Sequence, residues 1–405
     1  MRIILADETI SRHEWFMTRI PKVIFLVETS RAYGRGLLRG IAQYSKLHGP
    51  WLFFMGPEFY IKGIEHSYKW IKEVDADGII APLWDAKIIE MIVDLGLPAV
   101  ICGIERPALN ICRVVTDDIA VGRIAAEYFM EHGFQRFAFC GFDDAIWSGR
   151  RGDCFSKKIA QAGFAAHLYR QPRSGRRQTI KEEQTIIAEW LRTLPKPVAV
   201  MACNDDRSRD VLAACRIAGI EVPREAAILG VDNDELVCDL SYPQLSSIAT
   251  STERAGYETA RVLDKLMRGQ KIAENEKEVV ISPLHVVTRQ STDIMAIEDQ
   301  KVAEAVQFIR KHSRKVIQVG DVVEAVGLSR RALQQRFRKV LSHSVHEEIK
   351  SARVNQMASM LTSTNLTISQ ITRLLGYPDV SNISRYFKKQ KGISPSDYRK
   401  QFGPK

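Results

Sequence analysis

From Lys22 onward, short apolar runs rich in β-branched residues alternate with longer amphipathic stretches. The runs Val23–Val27, Leu52–Met55, Gly78–Ala81, Ala99–Cys102, Arg136–Cys140, Val198–Ala202 and Ala227–Val231 read as strands. Between them, Gly36–Leu47, Ile88–Leu95, Ile119–Glu131, Thr185–Leu194 and Arg209–Ala218 carry apolar residues at helical spacing. The helix ending at Leu194 can start as early as Thr179, and Arg170–Gln178 reads as an exposed basic loop. Continuous apolar strands separated by helices predict parallel sheets covered on both faces, a doubly wound α/β domain. About 270 residues of this pattern exceed one small domain, so two similar lobes are expected.

After Val287 the pattern changes. Thr288–Asp299 lacks strong periodicity, and beyond it only helical patterns follow. They are Val302–His312, Val319–Ala325, Arg330–Val340, Val345–Leu361, Ile368–Leu374, Val380–Gln390 and Pro395–Gln401. The expected organisation is an N-terminal extension over 1–20, an α/β domain over 21–290, a linker over 291–300 and an all-α domain over 301–405.

An internal repeat sits in the last segment. VVEAVGLSRRALQQRFRKVLSHS and ITRLLGYPDVSNISRYFKKQKGIS each place a short helix, a Gly (Gly327, Gly376) and a second helix in sequence. In each second helix two apolar residues, Leu333/Phe337 or Ile383/Phe387, lie four apart on one face. That is the helix-turn-helix pattern, and two copies are a far more specific signal than one.

Charge sharpens the division. The 405-residue chain has 58 Lys and Arg against 48 Asp and Glu, a net +10. Residues 301–405 hold 20 basic against 7 acidic residues, a net +13, whereas residues 1–300 hold 38 against 41, a net −3. All the excess positive charge lies with the repeat, as polyanion binding requires. With Leu333 and Phe337 turned inward, Arg330, Arg331, Gln334 and Arg338 project outward, suited to guanine and adenine edges. In the second copy the outward set includes Asp379, Ser381, Asn382 and Arg385, with Lys388, Lys389 and Lys391 placed for phosphates. Double-stranded DNA is the expected partner.

No run reaches the ~18 apolar residues of a membrane helix, and the first residues carry charges where a signal peptide keeps an apolar stretch. A cytoplasmic protein is expected. Its seven cysteines are odd in number and without ligand spacing, so buried thiols are expected rather than disulfides or a zinc site. No metal or cofactor is called for.

The acidic domain suggests a small-molecule sensor. Gly34-Arg35-Gly36-Leu37-Leu38-Arg39-Gly40 is not a dinucleotide fingerprint, since the last spacing is one too long; the start of a helix after a strand accounts for these glycines. Carboxylates follow three strands instead: Asp117-Asp118, Asp205-Asp206 and Asp232-Asn233-Asp234. Ligands of open α/β sheets sit outside the strands' carboxyl ends. Carboxylates, an Arg and an aromatic face suit a sugar, although any one Asp after a strand can be only a helix cap.

The C-terminal segment resembles the AraC-type DNA-binding domain, in Gly376, Ser381, Phe387, Lys388, Gly392, Pro395, Tyr398 and Arg399, with Arg353, Leu361, Ile368 and Ile371 upstream. Ile383, Met357 and Thr372 depart from the usual Phe, Ala and Ala. The resemblance implies two recognition helices set into successive major grooves.

The first 290 residues resemble the periplasmic-binding-protein-like effector domain of the lactose-repressor family. The matches are Asp117, Arg151-x-x-x-Phe155 (with Cys154 for the usual Gly), Asn204-Asp205, Gly230-Val231-Asp232 and Arg289-Gln290-Ser291-Thr292. This resemblance implies two lobes joined by three crossovers with the effector between them. Sensor first and reader last is an uncommon order, similar to that of sugar-catabolism regulators, and implies a monosaccharide effector, xylose favoured. Gly34 stands where that likeness expects an Asp. The roles it implies are Asp205 and Asp232 as hydroxyl acceptors, Arg151 as donor, Trp147 as stacking face, Tyr33 and Arg35 from the first lobe and Asp117 from the crossover region. Trp147 as core packing and an Arg35–Glu28 pair are the structural alternatives. A sugar-responsive transcription factor acting as a homodimer is the expectation. The rivals are an enzyme or a transport-type binding protein with a basic tail, but no G-x-S-x-G, P-loop or Ser/His/Asp set supports catalysis, and His48, His66, His132 and His167 are scattered.

Overall fold

The computed structural model describes residues 19–55, 68–82, 86–103, 111–171, 179–293, 299–341, 343–377 and 380–402. The basic loop expected over Arg170–Gln178 and the position of Asp379 lie largely or wholly outside these residues.

In chain order the α/β part runs β1 (Lys22–Phe25), α1 (Ala32–His48), β2 (Leu52–Phe54), β3 (Gly78–Pro82), α2 (Ala86–Leu95), β4 (Ala99–Cys102), β5 (Cys112–Thr116), α3 (Asp118–Glu131), β6 (Phe137–Cys140) and α4 (Ile146–Gln161). It continues with β7 (Ala166–Leu168), α5 (Ile180–Thr193), β8 (Val198–Ala202), α6 (Asp205–Ala218), β9 (Ala226–Asp232), α7 (Glu235–Leu240), β10 (Ser246–Thr250), α8 (Thr252–Met267), β11 (Glu278–Ile281) and β12 (Pro283–Val287). Two six-stranded sheets result, ordered β11-β5-β4-β3-β1-β2 and β12-β10-β9-β8-β6-β7. The first is parallel throughout, as is the run β7-β6-β8-β9-β10 of the second. Strands β3 and β8 are buried at every position, which is why they read as unbroken apolar runs. Because β11 returns to the first sheet and β12 to the second, the chain passes between sheets three times.

The chain divides into two compact units. The first comprises 1–121, 143–151 and 250–283; the second comprises 122–142, 152–249 and 284–405.

In the first unit, α1 and α8 lie backbone to backbone. A Cβ on Gly36 would collide with Thr252, one on Gly40 with the Glu253 carbonyl and one on Gly256 with the Leu37 carbonyl. The glycines therefore form a packing seam inside α1, which starts at Ala32, and the helix-start account of them is corrected. Buried Tyr44 extends the seam by donating to Asp264 Oδ2 at 2.9 Å.

In the second unit, Ser291 and Thr292 lie in a short 3-10 helix, Gln290–Thr292, that bonds to the sheet. Ser291 Oγ donates to the Ile228 carbonyl at 2.7 Å and accepts from Ser246 N at 2.8 Å, and Thr292 Oγ1 lies 2.7 Å from Ser246 Oγ. Both are fully buried.

The all-α part comprises α9 (Gln300–Lys311), α10 (Val319–Val326), α11 (Arg330–Leu341), α12 (Val345–Ser363), α13 (Ile368–Leu374), α14 (Val380–Lys391) and α15 (Pro395–Phe402). Capping explains the starts: Asp299, Ser344 and Thr367 each accept from backbone N–H groups of the following turn. Two cores form, one around Val306, Leu333 and Phe337 and one around Leu361, Ile383 and Phe387. They match the two copies of the repeat.

Candidate functional site

The carboxyl end of β9 is the most constrained turn of the second unit. Asp232 and Asn233 adopt φ 101° and 50°, a region that costs a non-glycine residue about 1–3 kcal/mol. Three side chains hold it there. Asp205 Oδ2 accepts from Asp234 N at 2.7 Å, Ser247 Oγ accepts from Asn233 N at 3.0 Å, and Arg289 Nη1 donates to Asn233 Oδ1 at 2.9 Å. The other Asp205 oxygen takes the Ser247 hydroxyl at 2.5 Å. A Cβ at residue 230 would collide with that same oxygen, which is why the motif opens on Gly230.

Asp205 is thus only 4% exposed, and each of its oxygens serves the turn. Burial and the nearby Asp232 charge raise its pKa well above the ordinary value. Its two oxygens position the turn. Asp232 itself is half-buried at the strand's end.

Below this turn lies a network without a sequence signal. Arg207, fully buried, donates to the Gly141 carbonyl at 2.9 Å and to Glu183 Oε1 at 2.7 Å, with the Phe142 and Tyr169 rings 4.6 and 5.2 Å from its guanidinium carbon. It anchors the chain where it leaves β6. Nothing in its spacing marks it, because a buried arginine is recognised only by its partners.

In the first unit, Arg151 is 4% exposed and donates through Nε to Asp118 Oδ1 at 2.9 Å. Trp147, one helical turn earlier, places its ring 5.0 Å from the guanidinium carbon. The structure therefore joins Trp147 and Arg151 and adds Asp118, which the sequence presents only as the neighbour of Asp117. Burial raises the Asp118 pKa, with Arg151 opposing it, and Asp118 Oδ2 has no hydrogen-bond partner among the described residues. Asp117 caps α3 by accepting from Ala120 N at 2.9 Å. Tyr33 is half-buried against the core around Phe25. Arg35 donates to the Ser30 carbonyl at 2.6 Å, while Glu28 accepts from Ser30 N, so an Arg35–Glu28 pair is replaced by a loop brace.

In the helical part, Gly327 and Gly376 both take the left-handed backbone, at φ 66° and 69°, and turn the chain from α10 into α11 and from α13 towards α14. Arg330, Arg331 and Arg338 are exposed on α11 and Gln334 is half-buried, with Leu333 and Phe337 inward. On α14, Ser381, Arg385 and Lys388 are exposed, and the Asn382 side chain lies outside the described ones. Arg353 of α12 ties the second copy down by donating to the Leu375 carbonyl, with the Tyr377 ring 3.8 Å away.

Comparison with known proteins agrees with both halves. Residues 126–292 match the periplasmic binding protein-like domain, and residues 322–401 match a helix-turn-helix domain. The xylose operon regulatory protein of Haemophilus influenzae is 30% identical over 386 residues, covering 93% of this chain and 98% of that protein. The chain belongs to the xylose operon regulator family. Its Escherichia coli K12 counterpart is 29% identical over 390 residues, 94% of this chain and 97% of that protein. The solved structure of a xylose-binding transcription activator superposes with a TM-score of 0.60 at 28% identity, covering 96% of this chain and 100% of that one. A cellobiose complex of another transcriptional regulator, 23% identical with a TM-score of 0.53, shares the sensor fold over 67% of this chain. The protein is a DNA-binding, sugar-sensing transcriptional regulator and not an enzyme. Among the described residues, no helix is long and apolar enough to cross a membrane.

Proposed function

We propose that this regulator responds to xylose, works in the cytoplasm as a homodimer, and uses Asp232 as its principal acceptor for sugar hydroxyls. The boundaries proposed are a sensor over 21–292 and a reader from Asp299 to the end. One observation carries the reading: the Asp232 turn is held in a costly backbone conformation by Asp205, Ser247 and Arg289, at a strand's carboxyl end. A turn that serves only to connect β9 to α7 has no need of that cost.

Trp147 and Arg151 supply the apolar face and planar donor of the same reading, with Tyr33, Arg35 and Asp117 as further candidates. Arg330, Arg331, Gln334, Arg338, Ser381, Asn382 and Arg385 address the bases of an operator, and Lys388 its phosphates. The likeness to xylose operon regulators over more than nine-tenths of the chain favours xylose over other monosaccharides.

The test is thermal. A ligand at a hundredfold excess over its Kd stabilises by about 2.7 kcal/mol, several degrees in Tm. D-Xylose should raise the melting temperature of the wild-type protein by that much, and Asp232→Ala should abolish the rise while operator binding survives. An unchanged response in the variant removes Asp232 from the site.

A further inference from the structure

Helix α3 has 14 residues and so is about 21 Å long. Its amino end carries the Asp117 cap and the Asp118–Arg151 pair. Its carboxyl end leaves carbonyl groups without partners inside the helix. Side chains reach two of the last carbonyls. The buried His132 ring places Nδ1 2.6 Å from the Tyr128 carbonyl, and Arg310 Nη2 donates to the Glu131 carbonyl at 2.9 Å. Arg310 comes from the last turn of α9, so a cation of the DNA reader caps the negative end of a sensor helix.

The contact continues towards the first recognition helix. Arg310 Nε lies 3.9 Å from Glu348 Oε1, and the other Glu348 oxygen is 2.8 Å from His343 Nε2. His343 Nδ1 in turn lies 2.7 Å from the carbonyl of Leu341, the last residue of α11. Burial raises the Glu131 carboxyl pKa, and the positive charges of Lys391 and Arg310 oppose that rise. One helix end of the sensor is therefore met by a chain of groups that reaches the end of the first recognition helix.

We propose that Arg310 is the residue through which the sensor acts on the reader: the docking of α9 on the carboxyl end of α3 is the surface that couples sugar binding to DNA binding. An effector can shift DNA affinity only through contacts that differ between the two states. A helix whose amino end carries residues of the proposed sugar site, and whose carboxyl end is capped by the reader, offers such contacts at both ends. The inference rests on the sugar-responsive reading above.

The test uses the full chain and a DNA duplex selected by it from a random-sequence library. Operator affinity is measured with and without saturating D-xylose, and sugar affinity is read separately from tryptophan fluorescence. Couplings of this kind usually span about 5- to 150-fold. In wild-type protein the ratio of the two operator affinities should fall in that range, and by reciprocity operator DNA should change xylose affinity by the same factor. In Arg310→Ala both ratios should drop to within about threefold of one, while sugar affinity without DNA stays at the wild-type value. Arg310→Lys keeps the charge and the apolar stem, so it spares folding and should retain part of the ratio. An Arg310→Ala protein, or Arg310→Lys if the alanine variant does not fold, with the full wild-type ratio overturns the coupling role. A wild-type protein that takes up no D-xylose removes the sugar reading itself, and the coupling role with it.

Discussion

His343 has Nδ1 2.7 Å from the Leu341 carbonyl and Nε2 2.8 Å from a Glu348 oxygen. Both ring nitrogens face acceptors, an arrangement only the doubly protonated ring satisfies. The hydrogen bond to Glu348, which outweighs the opposing effect of burial, raises its pKa above the ordinary 6.5. The stability it adds is therefore fully present below the unfolded-state value and lost as pH rises through the folded one. The melting temperature of His343→Gln should fall below that of wild type at about pH 5.5 and approach it at about pH 8.5. A deficit of equal size at both values contradicts the charged pair. At this scale the sequence is least informative. Asp118, Asp205 and Asp232 all follow or end strands, but Asp118 pairs with Arg151, Asp205 braces a turn and Asp232 takes a positive φ within that turn. Three identical side chains in similar positions differ only in what their oxygens meet, and those partners lie up to 42 residues away.

The recognition helices present opposite faces with opposite demands. On α11, Leu333 and Phe337 are buried while Arg331 is exposed; on α14, Phe387 is buried while Lys388 is exposed. An arginine reading one base should, when changed to alanine, relax specificity at one position at a cost of about 1–3 kcal/mol. Lys388→Ala should instead weaken all sequences alike and reduce the salt slope by about one. Selection of bound duplexes by the two variants measures the difference, and identical profiles contradict these roles. Elements of this kind are legible because amphipathic periodicity and caps are local: Ile368–Leu374 agrees to the residue, and α10, α11 and α14 extend one residue beyond the expected ends. Helices α4, α7 and α8 and strands β7, β10, β11 and β12 have no counterpart in the apolar periodicity. Strand β10, Ser-Ser-Ile-Ala-Thr, hides small polar residues whose hydroxyls bond to Arg289 beyond β12, to Asp205 at the start of α6 and to Asn233 after β9, so its burial has no apolar signature. The glycines of α1 were seen, but their purpose depends on α8, some 215 residues later.

For the whole molecule, the order of sensor and reader was legible from charge and repeat, and the two-sheet architecture from strand alternation. The surface carries a different mark. On α7 and just beyond it, Leu236, Leu240 and Tyr242 are 65%, 87% and 79% exposed. Leu236 and Leu240 lie four apart on one helical face, next to an aromatic residue. A self-complementary two-fold contact buries the same patch on both copies. If this patch closes the homodimer, Leu240→Glu with Tyr242→Ala should shift the protein to monomer in light scattering after size exclusion, with D-xylose-induced stabilisation retained. A double variant that remains dimeric places the contact elsewhere.

The braced turn at Asp232 also bears on how such a sensor can diverge. Gly230, Asp205, Ser247, Asn233 and Arg289 constrain one another so closely that changing any one disturbs the rest. Mutational drift is barred there. The turn should accordingly be inherited unchanged in this lineage, a fixed point around which its neighbours evolve.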